Sequence, residues 1–382
     1  MNLSNQTLID RLVMNHVSVV DIEDATTLIG KGILTDDTNT KVKYTTSSGL
    51  SFDKLEVKGD GYKLTVKAAM IGGQKVDVGS LTLTVCNNET HNLYCQTVDD
   101  VYTRLLKLQE LLLDEHGIVV DFSNLKIREI ELNKTFELEH DFVEYSRPIK
   151  LIMSNLPTKF KVEGNWKTRT KEEQQVSTYI SRTKSRRQYE EFKIYDKARQ
   201  LEEEFRITLD KQVMRVELTL SGVEKVKKIG TTSFAELTDE LINNFFNQQI
   251  EKLIIEPLKK WKKFRDKELL DVMKHEKATD VCRWQTNVLR WLTTEEIDRN
   301  YPILLDISEL GSLLTQMGLS RSRKSVVLKS FRKECERKEH IFVQSDDKKL
   351  QEIVAALSPD VSYTPETSKK SKKPVKSRKN RT

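Results

Sequence analysis

Residues 213–220, VMRVELTL, constrain the fold more than any other stretch of this chain. The run is rich in large apolar and β-branched residues and reads as a strand. Met214, Val216, Leu218 and Leu220 form one face, and Val213, Arg215, Glu217 and Thr219 form the other. An arginine and a glutamate thus stand side by side on an otherwise apolar element. Buried charges are costly unless something pairs with them.

A second strand poses the same problem. In LKIREIEL, residues 125–132, alternation puts Glu129 and Glu131 on the face of Leu125 and Ile127. One solution is a cross-strand ion pair, for example Glu131 with Arg215. The other is a divalent-cation site built from carboxylates on neighbouring strands.

The rest of the chain fits an α+β layer with an antiparallel or mixed sheet. DGYKLTVKAAM and GSLTLTVCN read as strands, with Leu81, Leu83 and Val85 facing one way. TVDDVYTRLLKLQELLLDEHG reads as an amphipathic helix, with Thr97 as N-cap, aspartates in its first turn and Gly117 closing it. Four units follow: residues 1–222 of this α+β character, a helical region over 223–283 broken at Pro257, a unit over 284–357, and a basic tail over 358–382. In the third unit, a short helix, a Gly-Leu-Ser turn and a basic second helix resemble a helix-turn-helix, winged or not; a helix pair packed on its own domain fits the same residues. The tail carries eight Lys/Arg and two acids, which accounts for the whole formal net charge of +6. Such a tail suits a polyanion or simple solubility.

Several chemistries are absent. The chain has no GxxxxGK[ST], HExxH or GxSxG motif, and its six histidines never fall two, three or four apart. Its four cysteines form no CxxC pair and are expected to be reduced. No stretch approaches the ~20 apolar residues of a membrane span, and the N-terminus lacks signal-peptide order, so a cytoplasmic location is expected.

One tyrosine has a place in the remaining chemistry. In EFKIYD, Phe192 and Ile194 point one way and Lys193 and Tyr195 the other, so Tyr195 faces away from the expected core. Upstream, residues 165–187 hold seven Lys/Arg against two Glu, with Trp166 and Tyr179 interleaved. Such a mixture suits a nucleic-acid strand or a solvated loop. Together these elements describe phosphodiester cleavage: two carboxylates on neighbouring strands would hold Mg2+ or Mn2+, and a tyrosine oxygen, with Tyr195 as the candidate, would attack phosphorus. Lys197 or Arg199 would ease formation of the phenolate.

The succession KIREIEL, FKIYDKARQL, VMRVELTL resembles rolling-circle replication initiators of phages and small plasmids. Within that group it is most similar to the filamentous-phage gene II proteins and their plasmid relatives, with features of the Rep_trans initiators, over about residues 60–225. The resemblance implies an HUH-like nickase domain with helices on one face of its sheet. It makes Tyr195 the nucleophile and Glu131 and Glu217 metal ligands, with Glu131 standing where relatives often have Asp. Lys197 would assist, and Arg182, Lys184, Arg186, Arg187, Lys193, Arg199 and Arg215 would contact DNA. The implied partners are a double-strand origin with its single-stranded nick region, a host helicase and a host polymerase, in a bacterial cytoplasm; a homodimer is compatible with it. The two-histidine motif of the wider HUH class is missing. Tyr179 and Tyr189 are the other candidate nucleophiles. A non-catalytic DNA-binding regulator, or a conjugative relaxase sharing the same chemistry, fits the same sequence.

Overall fold

A computed structural model describes residues 7–37, 42–84, 96–160, 167–168, 176–183, 185, 188–280, 283–284, 287, 307–335 and 344–357. Its centre is a ten-stranded antiparallel sheet. In chain order the strands are β1 (Leu8–Asn15), β2 (Leu34–Thr35), β3 (Lys54–Gly59), β4 (Tyr62–Ile71), β5 (Gln74–Thr84), β6 (Lys126–Glu137), β7 (Lys167–Thr168), β8 (Val176–Arg182), β9 (Tyr189–Asp196) and β10 (Val213–Ser221). In space they run β7-β8-β9-β10-β6-β1-β5-β4-β3-β2. The N-terminal strand therefore sits in the middle, between β6 and β5.

Helix α1 (Val98–His116) forms as its sequence predicts. Thr97 and Asp100 build a reciprocal capping box, and Gly117 ends the helix in the left-handed region at φ 63°. Its stripe of Val101, Leu105, Leu108 and Leu112 is buried. The other principal helices are α2 (Ser146–Asn155), α3 (Lys197–Phe205), α4 (Asp239–Ile250), α5 (Glu256–Thr279), α6 (Ile307–Gln316), α7 (Arg321–Cys335) and α8 (Gln344–Leu357).

On strands β9, β10 and β6 the even-numbered residues Phe192, Ile194, Met214, Val216, Leu218, Leu220, Ile130 and Leu132 are buried in the core. Tyr179 of β8 joins them, its ring 6.3 Å from that of Phe142. Lys134, on the same face of β6, donates to Asn247 Oδ1 of α4 and to the Leu357 carbonyl at the end of α8, both at 3.0 Å. Helices thus cover this face.

Three sequence expectations change. Pro257 does not break the helix: a π-turn over Glu251–Ile255 joins α4 to α5, and Pro257 follows directly on that wider turn, which accommodates a residue with no N–H to donate. The expected 284–357 unit divides, because α8 packs against the sheet's core through Leu350, Ile353 and Leu357. Tyr145 Oη also donates to Glu352 on α8, and Lys349 pairs with Glu144 at 2.7 Å. Finally, part of the basic 165–187 segment is sheet: Val176–Arg182 pairs with β9 as strand β8. Val85, Trp166, Lys184, Arg186, Arg187 and the tail lie outside the described residues, and no wing strand occurs among the described residues of 284–357.

Candidate active site

The sheet's other face is polar because the register stacks polar residues in rows. Lys193 lies opposite Glu217, and Tyr195 opposite Arg215. Glu217 lies opposite Asn133 and Glu131 opposite Thr219. Two irregularities tune this face. Between β1 and β6, Ile9 pairs with Leu132 and Arg11 with Glu131, leaving Asp10 as an extra residue on β1. Such a bulge re-aims a side chain, and Asp10 points into the same cavity as Glu131 and Glu217. Further along, Val13 pairs with Glu129 and Met14 with Ile127, so Arg128 is the extra residue on β6. This second bulge shifts the alternation. Glu129 and Glu131 consequently do not share a face with the buried Ile127, as strict alternation predicts.

Oxygens of Asp10, Glu131 and Glu217 come within 4.8 Å of one another. They line a cavity of about 540 Å³ together with Lys193, Tyr195 and Arg199. Asp196, Glu203 and Glu204 add three more carboxylates, so six acids face two cations in the lining. Asp10 Oδ1 is buried with no hydrogen-bond partner. Oxygen donors, excess negative charge and an orphaned carboxylate oxygen together fit a hard divalent cation.

Electrostatics follow from burial. Burial, reinforced by Asp10 and Glu131, pushes the Glu217 carboxyl up to about 8, against the pull of Lys193 and Arg215. Burial also raises Glu131, although Lys193 and Arg11 oppose it. Lys193 loses by burial but gains more from Glu217, Glu131 and Glu191, so its ammonium stays charged above the ordinary lysine range. Its Nζ lies 3.1 Å from Glu191 and 3.8 Å from Glu217.

Tyr195 lines the cavity but is only 8% exposed. Burial drives its phenol well above 10, Arg215 pulls it down, and Glu217 and Asp10 push it up. Arg215 is 1% exposed, donates from Nε to Thr135 Oγ1 at 2.8 Å and reaches Asp10 at 3.5 Å.

Several expected roles move accordingly. Arg215 is too buried to touch DNA and is the cation set against Tyr195. Its carboxylate partner is Asp10 rather than Glu131, which pairs with Arg11 at 3.4 Å. Lys197 is 3% exposed and donates to Gln200, a residue of the cavity lining, at 2.9 Å. Arg199 lines the cavity and pairs with Glu203 at 3.1 Å. Arg182 stacks its guanidinium 3.3 Å above the Tyr189 ring and is not among the residues lining the cavity. Tyr179 is fully buried on the opposite face. Tyr189 shares the face of Tyr195 but lies at the far end of β9, 3.5 Å from Glu129. Sequence reasoning missed Asp10; an acid inside the apolar run LIDRLVM was the available signal.

No family model and no curated protein matches this chain. Among solved structures, it is similar to a rolling circle replication initiator protein from Geobacillus stearothermophilus at 12% identity, over 63% of this chain and 79% of that one, with a TM-score of 0.30. A likeness of that size carries no argument about this chain. No helix among the described residues is long and apolar enough to cross a membrane.

Proposed function

We propose that this chain is a replication initiator of a plasmid or phage that replicates by rolling circle, and that it nicks one DNA strand through Tyr195. One observation carries the reading: carboxylates from three adjacent strands and a tyrosine from the next strand converge on one cavity. An anionic cavity repels a phosphodiester, so a lining with this excess of carboxylates would need a bound cation to offset its charge. Asp10, Glu131 and Glu217 are the residues that would hold such an ion, Mg2+ or Mn2+, and it would supply Lewis-acid polarisation of the phosphate oxygens.

The protein's own groups do the remainder. Lys193 adds a fixed positive charge beside the acids. Arg215 orients the phenol and stabilises negative charge on its oxygen. The Tyr195 oxygen forms a bond to phosphorus while the bond from phosphorus to the 3′ oxygen breaks. The proton lost by the phenol balances the one gained by the departing 3′ oxygen. The products are a 5′-phosphotyrosyl protein–DNA adduct and a free 3′-OH, which a host polymerase extends behind a host helicase.

The test is incubation of the full chain with Mn2+ and single-stranded oligonucleotides tiled across its cognate replicon. The expected product is an adduct that survives denaturation and maps by mass spectrometry to Tyr195. A shifted complex with no covalent product would make the chain a DNA-binding regulator and overturn the reading. A conjugative relaxase would give the same adduct and differs only in the biology it serves.

A further inference from the structure

We infer that α6 and α7 form a helix-turn-helix whose second helix reads duplex DNA in the major groove, through Arg321, Arg323, Val326 and Lys329. The inference stands apart from the nicking chemistry, since no residue of the cavity takes part.

The helix pair is a built unit. Leu310 and Leu314 of α6 and Val327 of α7 are buried. Lys324 Nζ donates to Thr315 Oγ1 at 3.0 Å, tying the helices together across the turn. In that turn the Met317 and Leu319 amides donate back to the Leu313 and Leu314 carbonyls, at 3.0 and 3.2 Å. Gly318 takes the left-handed conformation at φ 72° that reverses the chain. Lys277 of α5 donates to the Met317 carbonyl at 3.0 Å, fixing the turn to the preceding helix.

Helical periodicity divides α7 into two faces. Lys324, Val327 and Leu328 face inward, while Ser322, Ser325, Val326 and Lys329 form an outward stripe with Arg321 and Arg323 beside it. No acid occurs between Arg321 and Lys333. That concentration of cations at the start of a helix following a tight turn matches a polyanionic partner.

Val326 argues for duplex over a mere polyanion sink. It is 65% exposed, more than any other large apolar side chain among the described residues. Its place among the cations is what a helix in the major groove can use, because thymine methyls line that groove, while arginine and lysine there recognise guanine edges. Serines at 322 and 325 add short hydroxyls that allow close approach.

The experiment selects from 30-base-pair duplexes with a randomised centre, using the full chain, and then measures binding to the enriched duplex by fluorescence anisotropy. The combined variant Arg321→Ala, Arg323→Ala, Lys329→Ala should bind at least about 30-fold more weakly. It should also flatten the plot of log affinity against log salt by about 2–3. Val326→Ser should keep the salt slope and the melting temperature while changing the selected sequence at thymine positions. Enrichment of no sequence, or a combined variant that binds within twofold of the parent, would overturn the inference. So would a Val326→Ser variant that changes binding to a protein but not to the duplex. Adduct formation on single strands, read in the same samples, reports separately on the nicking reading and should be unchanged by these substitutions.

Discussion

Tyr195 and Arg215 stand directly opposite each other across the β9–β10 ladder, and the buried guanidinium is the positive charge set against the buried phenol. Without it, the carboxylates of Glu217 and Asp10, both of which oppose a phenolate, would act on Tyr195 with no guanidinium opposite it. Arg215→Lys keeps the charge but not the planar fork that spans Thr135 and Asp10. Single-turnover adduct formation at neutral pH should fall by about 10²-fold. The rate should also rise at a higher pH than in the parent, because less charge stabilisation leaves the phenol harder to ionise. An unaltered pH profile would remove Arg215 from the reaction.

The tyrosines separate cleanly by position. Tyr195→Phe should abolish the adduct while costing only about 1 kcal/mol of stability, the worth of one hydrogen bond. Tyr189→Phe should form adduct within about threefold of the parent, since its ring lies under Arg182 rather than at the acids. Tyr179→Phe should do the same, because that side chain is on the core face. Denaturing gels of adduct formation decide all three.

Cation binding should depend steeply on pH. Glu217 is held up to about 8, so below that pH an incoming ion must displace its proton. Mn2+ affinity, followed by titration calorimetry, should therefore rise about tenfold per pH unit below that value and level off above it. In Glu217→Gln the affinity should drop and the slope flatten. Asp10→Asn, which removes a carboxylate charge from the cluster, should weaken Mn2+ binding at least about tenfold while leaving the fold intact.

Away from the cavity, Glu190 gathers three lysines. It is 2% exposed, accepts from Lys159 at 2.8 Å and Lys225 at 3.0 Å, and pairs with Lys228. Burial works against its ionisation, but the three ammonium groups outweigh it and hold its carboxyl down at about 2. A depressed folded-state pKa stabilises above the ordinary carboxylate value of 4.5, and that contribution is lost as pH falls through about 2. Glu190→Gln should destabilise by about 2–3 kcal/mol at neutral pH, a figure moderated by the partial exposure of the lysines. Urea unfolding of the variant should show a shallower loss of stability over that acid range.

The sequence was most legible where one rule acted alone. Period and caps located α1 to the residue, and alternation put Lys193 and Tyr195 on the face away from Phe192 and Ile194. Alternation failed at Arg128, because a bulge reverses the phase of β6 and no residue type announces it. Asp10 stayed hidden for a related reason: its role depends on β1 lying beside β6, a pairing between residues 9 and 132 that local pattern does not encode. Composition located the nearby cations but not the one opposite the tyrosine, since Arg215 lies on a different strand and reaches Tyr195 only through the β9–β10 register.

The interior position of β1 also orders events during synthesis. Its partners on either side, β6 and β5, and the carboxylate of Glu217 are all made after it, so a nascent chain carries Asp10 long before its companion carboxylates exist. Products that stop short of β10 would lack Glu217, and the three-carboxylate cluster is complete only once the strand ending at Ser221 has closed onto β6.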